Sequence, residues 1–106
     1  MSDTVSRLFE AVLARRGQDP STSRTAKLLA AGRGKVAQKV GEEAVEVAID
    51  AVRDNRGAVI CECADLVYHL VVLWVEMGIA PEEVWAEMTR RETALGIAEK
   101  LPKAAA

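Results

Sequence analysis

The chain has 106 residues, the length of one domain, and half of them are apolar while 28% are charged, which excludes a disordered segment. The formal net charge is −2 with no basic excess, which excludes nucleic acid as a main partner. Only four residues are aromatic, so the core has to come from Val, Leu, Ile and Ala.

Helical spacing governs nearly the whole chain. Val5, Leu8, Phe9, Val12 and Leu13 recur at helical intervals, and Gly17 supplies a stop. Arg7 and Glu10 interrupt this stretch and no cleavage-site pattern follows, so it does not read as a secretory signal. The polar loop "GQDPSTS" comes next. Its Ser21, Thr22 or Ser23 can cap a short helix running through Leu28 and Leu29 to about residue 31. "AGRGK" is a break, with two glycines and two cations. A long helix is predicted over residues 35–55, then a turn at "DNRG", then a second long helix over 58–77 that stops at Gly78. Pro81, followed by Glu82 and Glu83, opens a last helix to about residue 91. The tail "GIAEKLPKAAA" is expected to fray in part.

There is no period-2 strand pattern, no repeat and no linker. The expected architecture is all-α: one domain over residues 1–106, a bundle of four to five helices with the two long ones antiparallel, completed by dimerisation. The longest uncharged run of the second half, "LVYHLVVLWV", is about half a bilayer span, so a cytoplasmic protein with no membrane partner is expected. Cys61 and Cys63, two apart on a helix, diverge by roughly 200° and cannot pair; buried thiols are expected.

The acidic residues pose the main question. On the first long helix Lys39, Glu42, Glu43, Glu46, Asp50 and Arg53 fall in one stripe roughly 120° wide, which by itself reads as an ordinary wet face. The second long helix is apolar on almost every side, the pattern of a buried helix, yet Glu62, Asp65, His69 and Glu76 share a stripe about 60° wide. A buried carboxylate without a partner costs several kcal/mol, and this helix offers no Lys or Arg along that stripe. Two helices joined by a short turn pack antiparallel. Glu43 and Glu46 can then face Glu62 and Asp65, four carboxylates around one hole. Such a set suits a hard divalent cation, Mg²⁺ by default with Mn²⁺ as its substitute.

These residues also carry a family likeness. "GEEAVEVAIDA" and "ECADLVYHLVVL" hold a Glu-x-x-Glu pair and a Glu-x-x-Asp pair, and resemble the all-α nucleoside-triphosphate pyrophosphohydrolases, the MazG-like group. Within that group "TAKLLAAGRGKVAQKVGEEAVEVA" and "ADLVYHLVVLW" resemble phosphoribosyl-ATP pyrophosphohydrolase of histidine biosynthesis, and the likeness runs from about Leu8 to Glu99. It implies hydrolysis of phosphoribosyl-ATP between the α and β phosphates with Mg²⁺, giving phosphoribosyl-AMP and pyrophosphate. It implies Glu43, Glu46, Glu62 and Asp65 as metal ligands, with Glu42 beside them. Arg24 stands where this branch usually has Tyr.

That chemistry needs a carboxylate to take a proton from the attacking water, and Glu42 and Glu46 are the candidates. It also needs cations for the phosphates, for which Arg33, Lys35 and Lys39 are placed to serve. His69 is expected as a core histidine bonded to a carboxylate, and Trp74 and Trp85 as core or interface residues. Two other readings stand beside this one. The first is a house-cleaning (d)NTP pyrophosphatase of the same fold; the second is a non-catalytic helical dimerisation module. A homodimer or larger symmetric assembly is expected because three other helices cannot cover so apolar a helix.

Overall fold

The computed structural model describes residues 3–95. Five helices follow in order: α1 (Thr4–Arg15), α2 (Arg24–Ala30), α3 (Arg33–Val52), α4 (Arg56–Met77) and α5 (Pro81–Leu95). Local chemistry sets their ends. Asp3 accepts from the Ser6 N–H at 2.6 Å, Ser23 from Ala26 N–H at 3.1 Å and Asn55 from Ala58 N–H at 3.1 Å, so three helices start on side-chain caps. Gly78 ends α4 in the left-handed region, where glycine carries no steric cost. Pro81 leads α5 with Glu82 and Glu83 in its first turn, where they complement the helix dipole.

Some boundaries differ from the sequence reading. The break before α3 is only Ala31 and Gly32: Gly32, at φ 97°, makes the whole corner, and Gly34 is already helical. At the other end α3 stops at Val52, because Asp54 turns left-handed at φ 56° and Asn55 is taken as the cap of α4. Helix α4 begins at Arg56, and α5 runs on to Leu95. The tail from Gly96 lies outside the described residues.

Helices α3 and α4 pack along one another as the long antiparallel pair. Helix α1 crosses α4, and α2 fills the corner between α1, α3 and α4. The core sits at one end of the pair. Val12, Ala26, Leu28, Leu29, Val36, Val71, Val72 and Val75 are buried there, with Val5, Leu8, Phe9, Tyr68, Leu73 and Trp74 packed around them. The Arg16 guanidinium donates to the Val75 carbonyl at 3.0 Å, tying the end of α1 to the last turn of α4. Trp74 and Trp85 meet edge to face, joining α4 to α5.

The expectation that α4 is buried all round is corrected. Its buried residues, Val71, Val72 and Val75, all lie in its C-terminal half, and its N-terminal half is partly open. Ile60 is 57% exposed, Val67 is exposed, and across the turn Val52 is 88% exposed. Cys61 is exposed and Cys63 half-buried, so the thiols are not both core groups. By length and composition α4 alone among the described helices is apolar enough to cross a bilayer; only its uninterrupted uncharged run is short.

Candidate active site

The acidic faces of α3 and α4 meet about halfway along the pair. Glu43 comes from α3, and Glu62 and Asp65 come from α4, one turn apart on the same side. One carboxylate oxygen from each of the three lies within 4.8 Å of the others. Glu43 and Glu62 are half-buried and Asp65 is exposed, so the group opens to solvent on one side. Glu43 Oε2 and Glu62 Oε2 are buried and have no hydrogen-bond partner. Glu46, one turn after Glu43, stands against Glu62 rather than in the convergent trio.

The electrostatics record the crowding. The Glu46 carboxyl alongside, loss of water, and then Glu43 push the Glu62 carboxyl up to about 7. Two buried acceptor oxygens without donors, in a set made only of carboxylates, are what a hard divalent cation would satisfy. Zinc, which prefers nitrogen and sulfur ligands, fits this donor set poorly. The residues present therefore fit a Mg²⁺-type ion.

His69 lies one turn beyond Asp65, packed edge-on against Tyr68. Its Nε2 is 3.8 Å from Glu43 Oε1, which makes Glu43 its carboxylate neighbour at a distance too long for a full hydrogen bond. Burial holds the imidazole below its ordinary pKa against the pull of Glu43, so the ring is neutral at pH 7. Tyr68 shares a hydrogen bond with Thr25 of α2, which fixes this turn of α4 to the packed end.

A groove of about 640 Å³ runs along the exposed side of α3, lined by Gln38, Lys39, Gly41, Glu42, Glu43, Val45 and Glu46. That is within the usual size range of a small-molecule site. Lys39 Nζ lies 3.4 Å from Glu42 Oε1, and Gln38 donates to Glu42 Oε2 at 3.1 Å. Both oxygens of Glu42 are thus engaged, and Gln38 first, then Lys39, hold its carboxyl below the usual range. Glu42 lines the groove without joining the trio.

Not every residue of the predicted stripes gathers here. Glu76 is fourteen residues past Glu62, about 21 Å along α4, and pairs with Arg33 at 3.6 Å. Lys35 lines a separate, smaller cleft with Arg24, Lys27, Leu28 and Ala31. The sequence reading missed Gln38 and Lys27. Gln38, at i−4 from Glu42, had a visible signal in its spacing; Lys27 had none before the corner between α2 and α3 was known.

Residues 5–92 match the phosphoribosyl-ATP pyrophosphohydrolase family. The chain is 63% identical over 103 residues to the phosphoribosyl-ATP pyrophosphatase 2 of Rhodopseudomonas palustris, covering 97% of this chain and 79% of that protein. It is 57% identical to the phosphoribosyl-ATP pyrophosphatase of Gluconobacter oxydans, covering 89% of this chain and 71% of the relative. With the enzyme of the same name from Paramagnetospirillum magneticum it shares 47% identity, covering 97% and 94% of the two chains.

Proposed function

The chain belongs to the phosphoribosyl-ATP pyrophosphohydrolase family and hydrolyses phosphoribosyl-ATP to phosphoribosyl-AMP and pyrophosphate in histidine biosynthesis, and we propose that Glu43, Glu62 and Asp65, with Glu46 beside them, hold the Mg²⁺ ion it works with. Mn²⁺ would substitute. The observation that carries this reading is the convergence of three carboxylates with two buried, partnerless oxygens among them. When bound, the ion neutralises phosphate oxygens and makes water a better nucleophile.

The chain's own residues do the rest. Water is added across the α–β anhydride, pyrophosphate leaves, and one proton of that water must be taken up. Glu46 is the better placed of the two candidate bases: it borders the trio and has no cationic partner among the described residues. Glu42, tied to Gln38 and Lys39, holds Lys39 toward the groove, where the ammonium meets the leaving phosphates. Lys35, in the first turn of α3, serves phosphate oxygens farther along the substrate, while Arg33 is held by Glu76.

We read residues 1–106 as one catalytic domain of the cytoplasm. Two exposed apolar rows support a homodimer. Val45, Ile49 and Val52 on α3 repeat at i, i+4, i+7, and so do Ile60, Ala64 and Val67 on α4. The same pair of helices from a second copy would bury both rows, as two-fold assemblies do.

Turnover with a substrate panel tests the reading. Phosphoribosyl-ATP should be cleaved with release of pyrophosphate, faster than any dNTP at equal Mg²⁺. Activity should vanish in excess chelator and return with Mg²⁺ or Mn²⁺. Robust turnover in chelator would remove the metal centre, and a preference for dNTPs would move the enzyme to nucleotide house-cleaning.

A further inference from the structure

The substrate has two anionic ends. One is the triphosphate, cut at the carboxylate centre. The other is the monophosphate on the second ribose, which ATP and the dNTPs lack. The groove beside the centre answers only the first end. Its single cation, Lys39, is already paired with Glu42, and Arg33 is paired with Glu76.

Unspent positive charge lies elsewhere. Arg24 and Lys27 of α2 and Lys35 of α3 line one small cleft whose floor is Leu28 and Ala31. All three cations are exposed, and none has an ion pair with any described residue. No carboxylate lines the cleft. An apolar floor ringed by three unpaired cations suits a sugar phosphate: the ribose lies on the floor and the phosphate meets the charges.

The position relative to the centre also fits. Lys35, Lys39, Glu42 and Glu46 fall within about 60° of one another around α3, so Lys35, which lines the cleft, stands on the face that carries the groove. Lys35 precedes Glu43 by eight residues, about 12 Å along the helix. Two riboses and the purine between them have to be accommodated over such a span.

We propose that the cleft formed by Arg24, Lys27 and Lys35 binds the monophosphate of the phosphoribosyl group and sets the preference for phosphoribosyl-ATP over simple nucleoside triphosphates. It rests on the proposed function and adds the element that ATP cannot use. Arg24 and Lys27 act on the far end of the substrate, away from the reacting bond.

The two products separate the two ends, since phosphoribosyl-AMP keeps the monophosphate and pyrophosphate keeps the metal-bound part. In the double variant Arg24→Gln, Lys27→Gln, KM for phosphoribosyl-ATP should rise about tenfold with kcat nearly unchanged, as expected for losing charged contacts common to ground and transition states. The inhibition constant of phosphoribosyl-AMP should rise by a similar factor, and that of pyrophosphate should not move. Unmoved inhibition by phosphoribosyl-AMP overturns the inference, and so does an equal rise for pyrophosphate, which would place these cations on the triphosphate. Both side chains are exposed; if the double variant nevertheless melts low, Lys27→Glu alone must give the same split between the two products. An active, Mg²⁺-dependent parent with unmoved product inhibition sinks only this inference. A parent that does not cleave phosphoribosyl-ATP sinks the functional reading, and this inference with it.

Discussion

At one end of the α3–α4 pair, where α1 and α2 cover it, Val36, Val71 and Val72 have no exposed surface at all. At the other end, beyond the carboxylates, the same two helices carry Ile49, Val52 and Ile60 in the open. The residue types are the same; the difference is cover. Near-total burial needs a third and fourth helix, and α1 and α2 reach only the first half of the pair. The acidic trio sits where that cover ends. Glu43 and Glu62 are sheltered enough to lose water, while Asp65 and the groove remain open to a substrate.

The largest expected effect belongs to the packed end. Val71→Ala removes two methyl groups from a fully buried position and leaves a cavity, for a loss of about 2–3 kcal/mol in chemical denaturation. Mg²⁺ affinity should stay at the parent value, because Val71 touches the scaffold and not the carboxylates. A changed affinity with unchanged stability would mean that the two ends are not separate in this way.

The open end should respond through association. Val52→Asp with Ile60→Asp puts charges into both exposed apolar rows. In sedimentation the parent should run as a dimer or larger assembly and the double variant as the 11.4 kDa monomer. A parent that is already monomeric at micromolar concentration would leave the rows without a partner.

A smaller effect comes from the corner that holds α2. Ser23→Ala removes the oxygen that accepts from the Ala26 N–H and should cost about 1 kcal/mol, read as a lower denaturation midpoint. Activity per folded molecule should change little, since the cap lies outside the groove.

The sequence made some of this legible and hid the rest for physical reasons. Helical periodicity and the spacing of Glu43, Glu62 and Asp65 sufficed to bring those carboxylates together, because a three-residue turn leaves two long helices little choice but to pack antiparallel. Glu76 was grouped with them only because an angular projection ignores position along the axis, and it lies several turns away. The exposure of Cys61 and Ile60 was hidden because an apolar circumference does not say which neighbours are present. Lys35 and Lys39 looked alike in the chain, one turn apart. The corner at Gly32 brings α2 beside the first and leaves the second in the groove.

The most direct test of the central claim, that the carboxylates form a metal site and not a structural network, is the melting temperature of metal-free Glu62→Gln beside the parent as a function of pH. In the folded parent the Glu62 carboxyl is raised to about 7 from an ordinary 4.5. A raised carboxyl contributes stability that is fully present below pH 4.5 and lost as pH climbs through about 7. The metal-free parent should therefore melt lower at pH 8 than at pH 5 on this account. Gln, which stays neutral, should remove that dependence. At pH 8 without metal the variant should melt as high as the parent or higher, and it should lack the parent's rise in melting temperature on adding Mg²⁺. A large drop for the variant at pH 8, with the Mg²⁺ response intact, would show that Glu62 is part of the scaffold and would contradict the account.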